Sequence, residues 1–73
     1  MSNTKDLLKS IQEARVNRKL NNRQFALFLG IDVGEWSKVS RGLRNPGKTT
    51  LMAFSSKLPE AQLAVMKYMA GEK

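Results

Sequence analysis

Between Leu20 and Gly42 the chain writes the same helix start twice. Leu20-Asn21-Asn22-Arg23-Gln24-Phe25 is followed by Ile31-Asp32-Val33-Gly34-Glu35-Trp36, each an aliphatic residue, an Asn or Asp, two variable positions, a Gln or Glu and an aromatic. The Asn or Asp accepts from backbone N–H groups of the following turn, the Gln or Glu reaches back, and the flanking apolar pair packs as a staple. Each cap is worth about 0.5–2 kcal/mol, so both starts are fixed locally as well as by any core. Gly30 lies where the first of these helices must end, and a residue that takes positive φ turns the chain there at least cost. Gly42 ends the second in the same way. The stretch therefore predicts a helix, a three-residue turn and a second helix over 33–41.

The remainder also reads as short helices. Leu7, Leu8, Ile11 and Ala14 recur three and four apart, with Lys9, Gln12 and Glu13 between them, which predicts a first helix running to about Lys19 with Asn3 and Asp6 as its capping pair. Val16 falls off that stripe and is expected to be partly exposed. Asn45-Pro46-Gly47 is a turn, after which a fourth helix is expected, capped by Thr49 or Thr50 and carrying Leu51, Phe54 and Leu58 on one face. Pro59 breaks it and suits the first turn of a fifth, from Glu60 to about Ala70, with Leu63, Met66 and Met69 as its inward candidates and Gly71 as its stop. With no convincing strand and no linker, residues 1–73 are expected to form one all-α domain, a compact five-helix bundle.

Composition bounds the function. At 73 residues the chain has no cysteine and no histidine, and only six carboxylates, so disulfides, zinc ligands and the usual nucleophiles and general bases are absent or scarce. No enzyme, metal site, cofactor or small-molecule ligand is expected. Thirteen Lys and Arg leave a formal charge of +7, which on so small a surface calls for an anionic partner. Eight basic residues and two acidic ones lie between Arg15 and Lys48, so nearly all of the excess surrounds the doubled helix start. No apolar run approaches the roughly 20 residues that span a bilayer, and the N-terminus lacks the apolar core of a signal peptide, so a cytoplasmic protein is expected.

Ala26, Gly30, Ile31, Trp36, Val39 and Gly42 fall at the spacing of the helix-turn-helix of phage repressors and Cro proteins, and the chain resembles this lambda-repressor-like superfamily from Leu7 to about Leu58. Trp36-Ser37-Lys38-Val39-Ser40-Arg41-Gly42 looks like the end of that family's recognition helix, and Leu7, Ile11, Arg15 and Leu20 resemble its first-helix pattern. The resemblance implies a five-helix fold whose helix 33–41 lies in the DNA major groove, and a transcriptional repressor or Cro-like regulator of phage or mobile-element origin. Two positions depart from the family. Its arginine in the first helix is present as Arg15, but the glutamate that partners it is replaced by Ser40, leaving Arg15 solvated, bound to a backbone carbonyl or free for phosphate. The usual glutamine at the start of the second helix is Asn22.

The residues themselves point the same way. Trp36 and Val39, with Ile31, define the inward face of the second helix of the pair, and leave Val33, Gly34, Ser37, Lys38 and Arg41 outside as candidates for base contacts. Lys38 and Arg41 suit guanine N7 and O6, Ser37 several acceptors, and Val33 a thymine methyl. Gly34 either lets the helix approach the groove closely or is tolerated at a cost of roughly 1 kcal/mol. Phosphate contacts are expected from Asn22, Arg23 and Gln24 at one helix start, and from Arg44, Asn45, Lys48 and Thr49 as a second clamp. Phe25 and Trp36, at staple positions, belong to the core. Asp32 and Glu35 are read as caps.

Double-stranded DNA is the expected partner. In a chain of this size any dimer has to use the same domain, and Leu63, Met66, Tyr68 and Met69 either close the core or join two copies. Two other readings use the same fold, a protein-gripping module such as an antirepressor and an excisionase-like architectural DNA binder.

Overall fold

A computed structural model describes residues 3–71. Five α-helices follow one another: α1 (Asn3–Asn17), α2 (Asn22–Leu29), α3 (Val33–Ser40), α4 (Lys48–Lys57) and α5 (Gln62–Gly71), with a single 3₁₀ turn, Pro59–Ala61, leading into α5. There is no strand among the described residues. The Cα radius of gyration, 11.0 Å, matches the roughly 11 Å expected of a collapsed chain of this length. The first helix is two residues shorter than its apolar spacing predicts, and the cap expected from Asn3 and Asp6 falls at the edge of the described residues.

Three helices close alike. Lys19 (φ 58°), Gly30 (φ 78°) and Gly42 (φ 76°) follow α1, α2 and α3 in the left-handed conformation. After each, the next N–H reaches back five residues, from Leu20 to the Arg15 carbonyl (3.3 Å), from Ile31 to that of Ala26 (3.1 Å) and from Leu43 to that of Lys38 (2.9 Å). These closures satisfy carbonyls that a helix end otherwise leaves unpaired. Lys19 has a Cβ, and among the described residues it is the one non-glycine with positive φ. The Arg15 guanidinium steadies that turn by donating to the Leu20 carbonyl at 2.8 Å and to Gln12 Oε1 at 2.8 Å. Of the three roles open to Arg15, the backbone-carbonyl bond is therefore the one found.

The core draws on every helix. Leu7, Ile11 and Ala14 come from α1, Phe25, Ala26 and Leu29 from α2, Trp36 and Val39 from α3, Leu51 and Phe54 from α4, and Val65 and Tyr68 from α5, with Leu58 and Ala61 closing the corner between the last two. Trp36 sits among them with no exposed surface. Its ring meets Phe25 edge-on at 5.1 Å and Phe54 at 6.1 Å, geometries that add to the value of area burial alone. Val16, off the apolar stripe, is exposed.

α5 faces the other way from the reading of its sequence. Val65 and Tyr68, with Ala61 before the helix, turn inward, whereas Leu63, Met66 and Met69 are 63, 64 and 53% exposed. The helix is apolar nearly all round, so residue type gives no direction, and burial goes to the stripe that fits between α1 and α4. Tyr68, 6% exposed, belongs to the core rather than to a surface for a second copy. No helix among the described residues is long and apolar enough to cross a membrane.

Candidate nucleic-acid interface

The two repeated starts are built differently. At α2 the reciprocal bonds are both made: Gln24 N–H donates to Asn21 Oδ1 at 2.8 Å and Asn21 N–H to Gln24 Oε1 at 2.9 Å. At α3, Asp32 accepts from the Glu35 N–H at 3.0 Å, but Glu35 does not reach back. Its carboxylate instead pairs with Arg44 Nη1 at 3.3 Å, so Glu35 is not a cap. Arg44, expected to clamp a phosphate, meets an internal carboxylate first.

α3 is held from behind and bare in front. Trp36 and Val39 are buried, and the indole Nε1 donates to Asn22 Oδ1 at 3.1 Å, which ties the middle of α3 to the first turn of α2. Of the residues expected to read bases, Val33, Gly34, Lys38 and Arg41 are exposed and Ser37 is half-buried. The helix ends at Ser40, one residue short of its expected limit, with Arg41 as its cap and the Arg41 Nε–H laid back on the Ser37 carbonyl at 3.3 Å. A Cβ on Gly34 would stand 2.9 Å from Asp32 Oδ2, the oxygen that caps the helix. Gly34 thus has an internal reason to lack a side chain, beside any approach to a groove.

The expected phosphate contacts gather at two helix starts. Asn22, Arg23 and Gln24 form the exposed first turn of α2, although the amide oxygen of Asn22 accepts from Trp36 and that of Gln24 from the Asn21 N–H, leaving their NH2 groups to donate. The start of α4 has Gly47 as its cap residue and no side-chain cap bond, contrary to the role expected of Thr49 or Thr50. Thr49 lies exposed in the first turn and Thr50 is buried there. A cleft of about 470 Å³ opens at this start, lined by Ile31, Asp32 and Glu35 together with Arg44, Lys48 and Thr49. Asn45 does not line that cleft; with Lys48, which borders both, it lines a second hollow that also takes in Pro46, Leu51, Tyr68 and Met69.

Of the eight basic residues around the motif, two more besides Arg44 are engaged within the fold. Arg15 holds the Leu20 carbonyl, and Arg18 forms a two-pronged pair with Glu60 while its guanidinium lies 5.4 Å over the Phe28 ring. The Arg18 hydrogen bonds hold the Glu60 carboxyl below its ordinary range, and Glu60 in turn raises Arg18. Nothing in the sequence pairs residues 42 positions apart, so this link was invisible there. Arg23, Lys38 and Lys48 are exposed and have no ion-pair partner among the described residues.

What the surface offers chemically is a row of hydrogen-bond donors and positive charge: the outer side of α3, with the uncapped start of α4 sharing a cleft with its first turn and the start of α2 bonded to its middle. No three His, Cys, Asp or Glu side chains gather as metal ligands among the described residues. Compared with family models, curated proteins and solved structures, the chain matches none of them.

Proposed function

We infer that this chain is a sequence-specific duplex-DNA-binding regulator, a repressor or Cro-like protein of the phage or mobile-element kind that acts in the bacterial cytoplasm. Residues 22–40 serve as its helix-turn-helix. α3 enters the major groove with Val33, Gly34, Ser37, Lys38 and Arg41 toward base edges, while Asn22, Arg23 and Gln24, and Arg44, Lys48 and Thr49, meet phosphates on either side. The observation that carries this reading is the outward side of α3, where Val33, Gly34 and Lys38 are exposed with Arg41 at the helix end, on a helix anchored by the fully buried Trp36. An α-helix with its side chains is about 10–12 Å across, and the major groove is about 12 Å wide.

Titration of the protein against a random-sequence duplex at two salt concentrations tests the reading. Tight binding with a steep log–log salt dependence is expected, because each phosphate contact contributes about 0.9 to the slope. Absence of binding, or a slope near zero, would transfer the surface to the protein-gripping alternative. The exposed Leu63, Met66 and Met69 of α5 favour a second element, association of two copies through that helix. Sedimentation of Met66→Glu against the parent decides it: the variant should be monomeric and still folded, and a parent already monomeric at operator-binding concentrations would dismiss it.

A further inference from the structure

Glu35 stands in an unexpected place for a DNA-facing helix. It lies in the first turn of α3, on the wall of the cleft that opens before α4, and its Oε1 is 3.3 Å from Nη1 of Arg44. The Glu35 side chain is 22% exposed and that of Arg44 59% exposed, so the carboxylate is seated and the guanidinium is the solvent-facing partner. The other carboxylate of the cleft, Asp32, is occupied in capping α3. Lys48 and Thr49, which also line the cleft, begin a helix whose start has no side-chain acceptor.

Resting on the DNA-binding reading above, we propose that Glu35 is a positioning residue that acts as an internal substitute for a backbone phosphate, holding Arg44 and competing with DNA for it. In the free protein Arg44 is paired with Glu35; on DNA the guanidinium exchanges this carboxylate for a phosphate oxygen, while Glu35 remains behind as a negative charge beside the duplex. The exchange costs one exposed ion pair and leaves one repulsion. Glu35 therefore caps the affinity for any duplex and does so without reading a base. A surface pair is weak enough to be broken on contact, which keeps Arg44 available. The same pair prevents the domain from adhering at full strength to every stretch of DNA, since phosphate contacts carry no sequence information.

The test is a double-mutant cycle of Glu35→Gln and Arg44→Gln, read by fluorescence anisotropy on a random-sequence duplex at low and moderate salt. Glu35→Gln should raise affinity about two- to fivefold at low salt, in line with the strength of exposed pairs, and steepen the log–log slope by at most about 0.9. In the Arg44→Gln background the same change should do much less, which separates competition for Arg44 from general removal of a negative charge. Equal gains in both backgrounds would overturn the competition. So would an unchanged or weakened Glu35→Gln, the latter meaning that Glu35 presents Arg44 to DNA rather than withholding it. If the parent binds no duplex at either salt, the DNA-binding reading and this proposal fall together; if it binds and the cycle is additive, only this proposal falls.

Discussion

The indole N–H of Trp36 and the side-chain oxygen of Asn22, fourteen residues apart, meet at 3.1 Å where α2 begins beside the middle of α3. The bond joins the largest core residue to a residue of the exposed helix start, adding a polar contact to the apolar packing of Phe25 on Trp36 that already holds the two helices together. Asn22 therefore serves the fold, beside the phosphate contact proposed for it.

Asn22→Ala should cost about 1–3 kcal/mol, because it leaves the part-buried indole N–H without its partner. In a Trp36→Phe background the same change should cost almost nothing, there being no donor to orphan. Urea melts of the four proteins give the answer, and additive losses would show that the bond is idle. Trp36→Ala removes the whole ring and should cost roughly 3–5 kcal/mol, most of what a domain of this size has to lose.

Lys19→Gly should stabilise the fold by up to about 1 kcal/mol, since the left-handed conformation strains a residue with a Cβ and not glycine. Gly30→Ala should do the reverse, by about 1 kcal/mol, and for a purely conformational reason: nothing lies within 4 Å of the added Cβ. Thermal melts of both variants are sufficient, and a Lys19→Gly protein that melts below the parent would refute the strain.

The Arg18–Glu60 pair makes stability depend on acid. The Glu60 carboxyl is depressed in the folded state by its bonds from Arg18, so its contribution is present above the unfolded carboxylate value of about 4.3 and is lost as pH falls through the lowered folded value. The pair is exposed, so the loss should stay within about 0.2–1 kcal/mol. Glu60→Gln should remove that part of the pH dependence of the urea midpoint below pH 5 while leaving the rest. A Glu60→Gln curve parallel to the parent's would show that the pair contributes nothing.

Lys38→Ala and Ser37→Ala should each lower operator affinity by about 1–3 kcal/mol and affinity for random duplex much less, as expected for base contacts. Lys48→Ala should weaken both alike and reduce the salt slope by about 0.9, as expected for a phosphate contact. The ratio of operator to random affinity, measured at one salt concentration, separates the two classes. An unchanged ratio for Lys38→Ala, Ser37→Ala and a Val33 substitution together would remove α3 from base reading.

Local rules carried most of the fold. The caps at Asn21 and Asp32 and the closures at Gly30 and Gly42 involve residues within a turn of one another, and all were visible in the sequence. Glu35 was misread because Asp-x-x-Glu has two uses: a capping box, or a cap with the Glu left over for a partner further along, here Arg44. The facing of α5 was misread because Leu63, Val65, Met66, Tyr68 and Met69 surround the helix and periodicity has no contrast to detect. Arg18 falls among the basic residues around the motif in the sequence, and its partner Glu60 comes near only where the Pro59–Ala61 turn packs against α1. The face of α3 itself was legible, since buried Trp36 and Val39 determine by subtraction what remains outside.

The packing of α1 against α5 joins the two ends of the described chain. Leu7 and Ile11, near its beginning, share one core with Val65 and Tyr68, near its end. A chain truncated before α5 would therefore leave the apolar stripe of α1 open to other molecules.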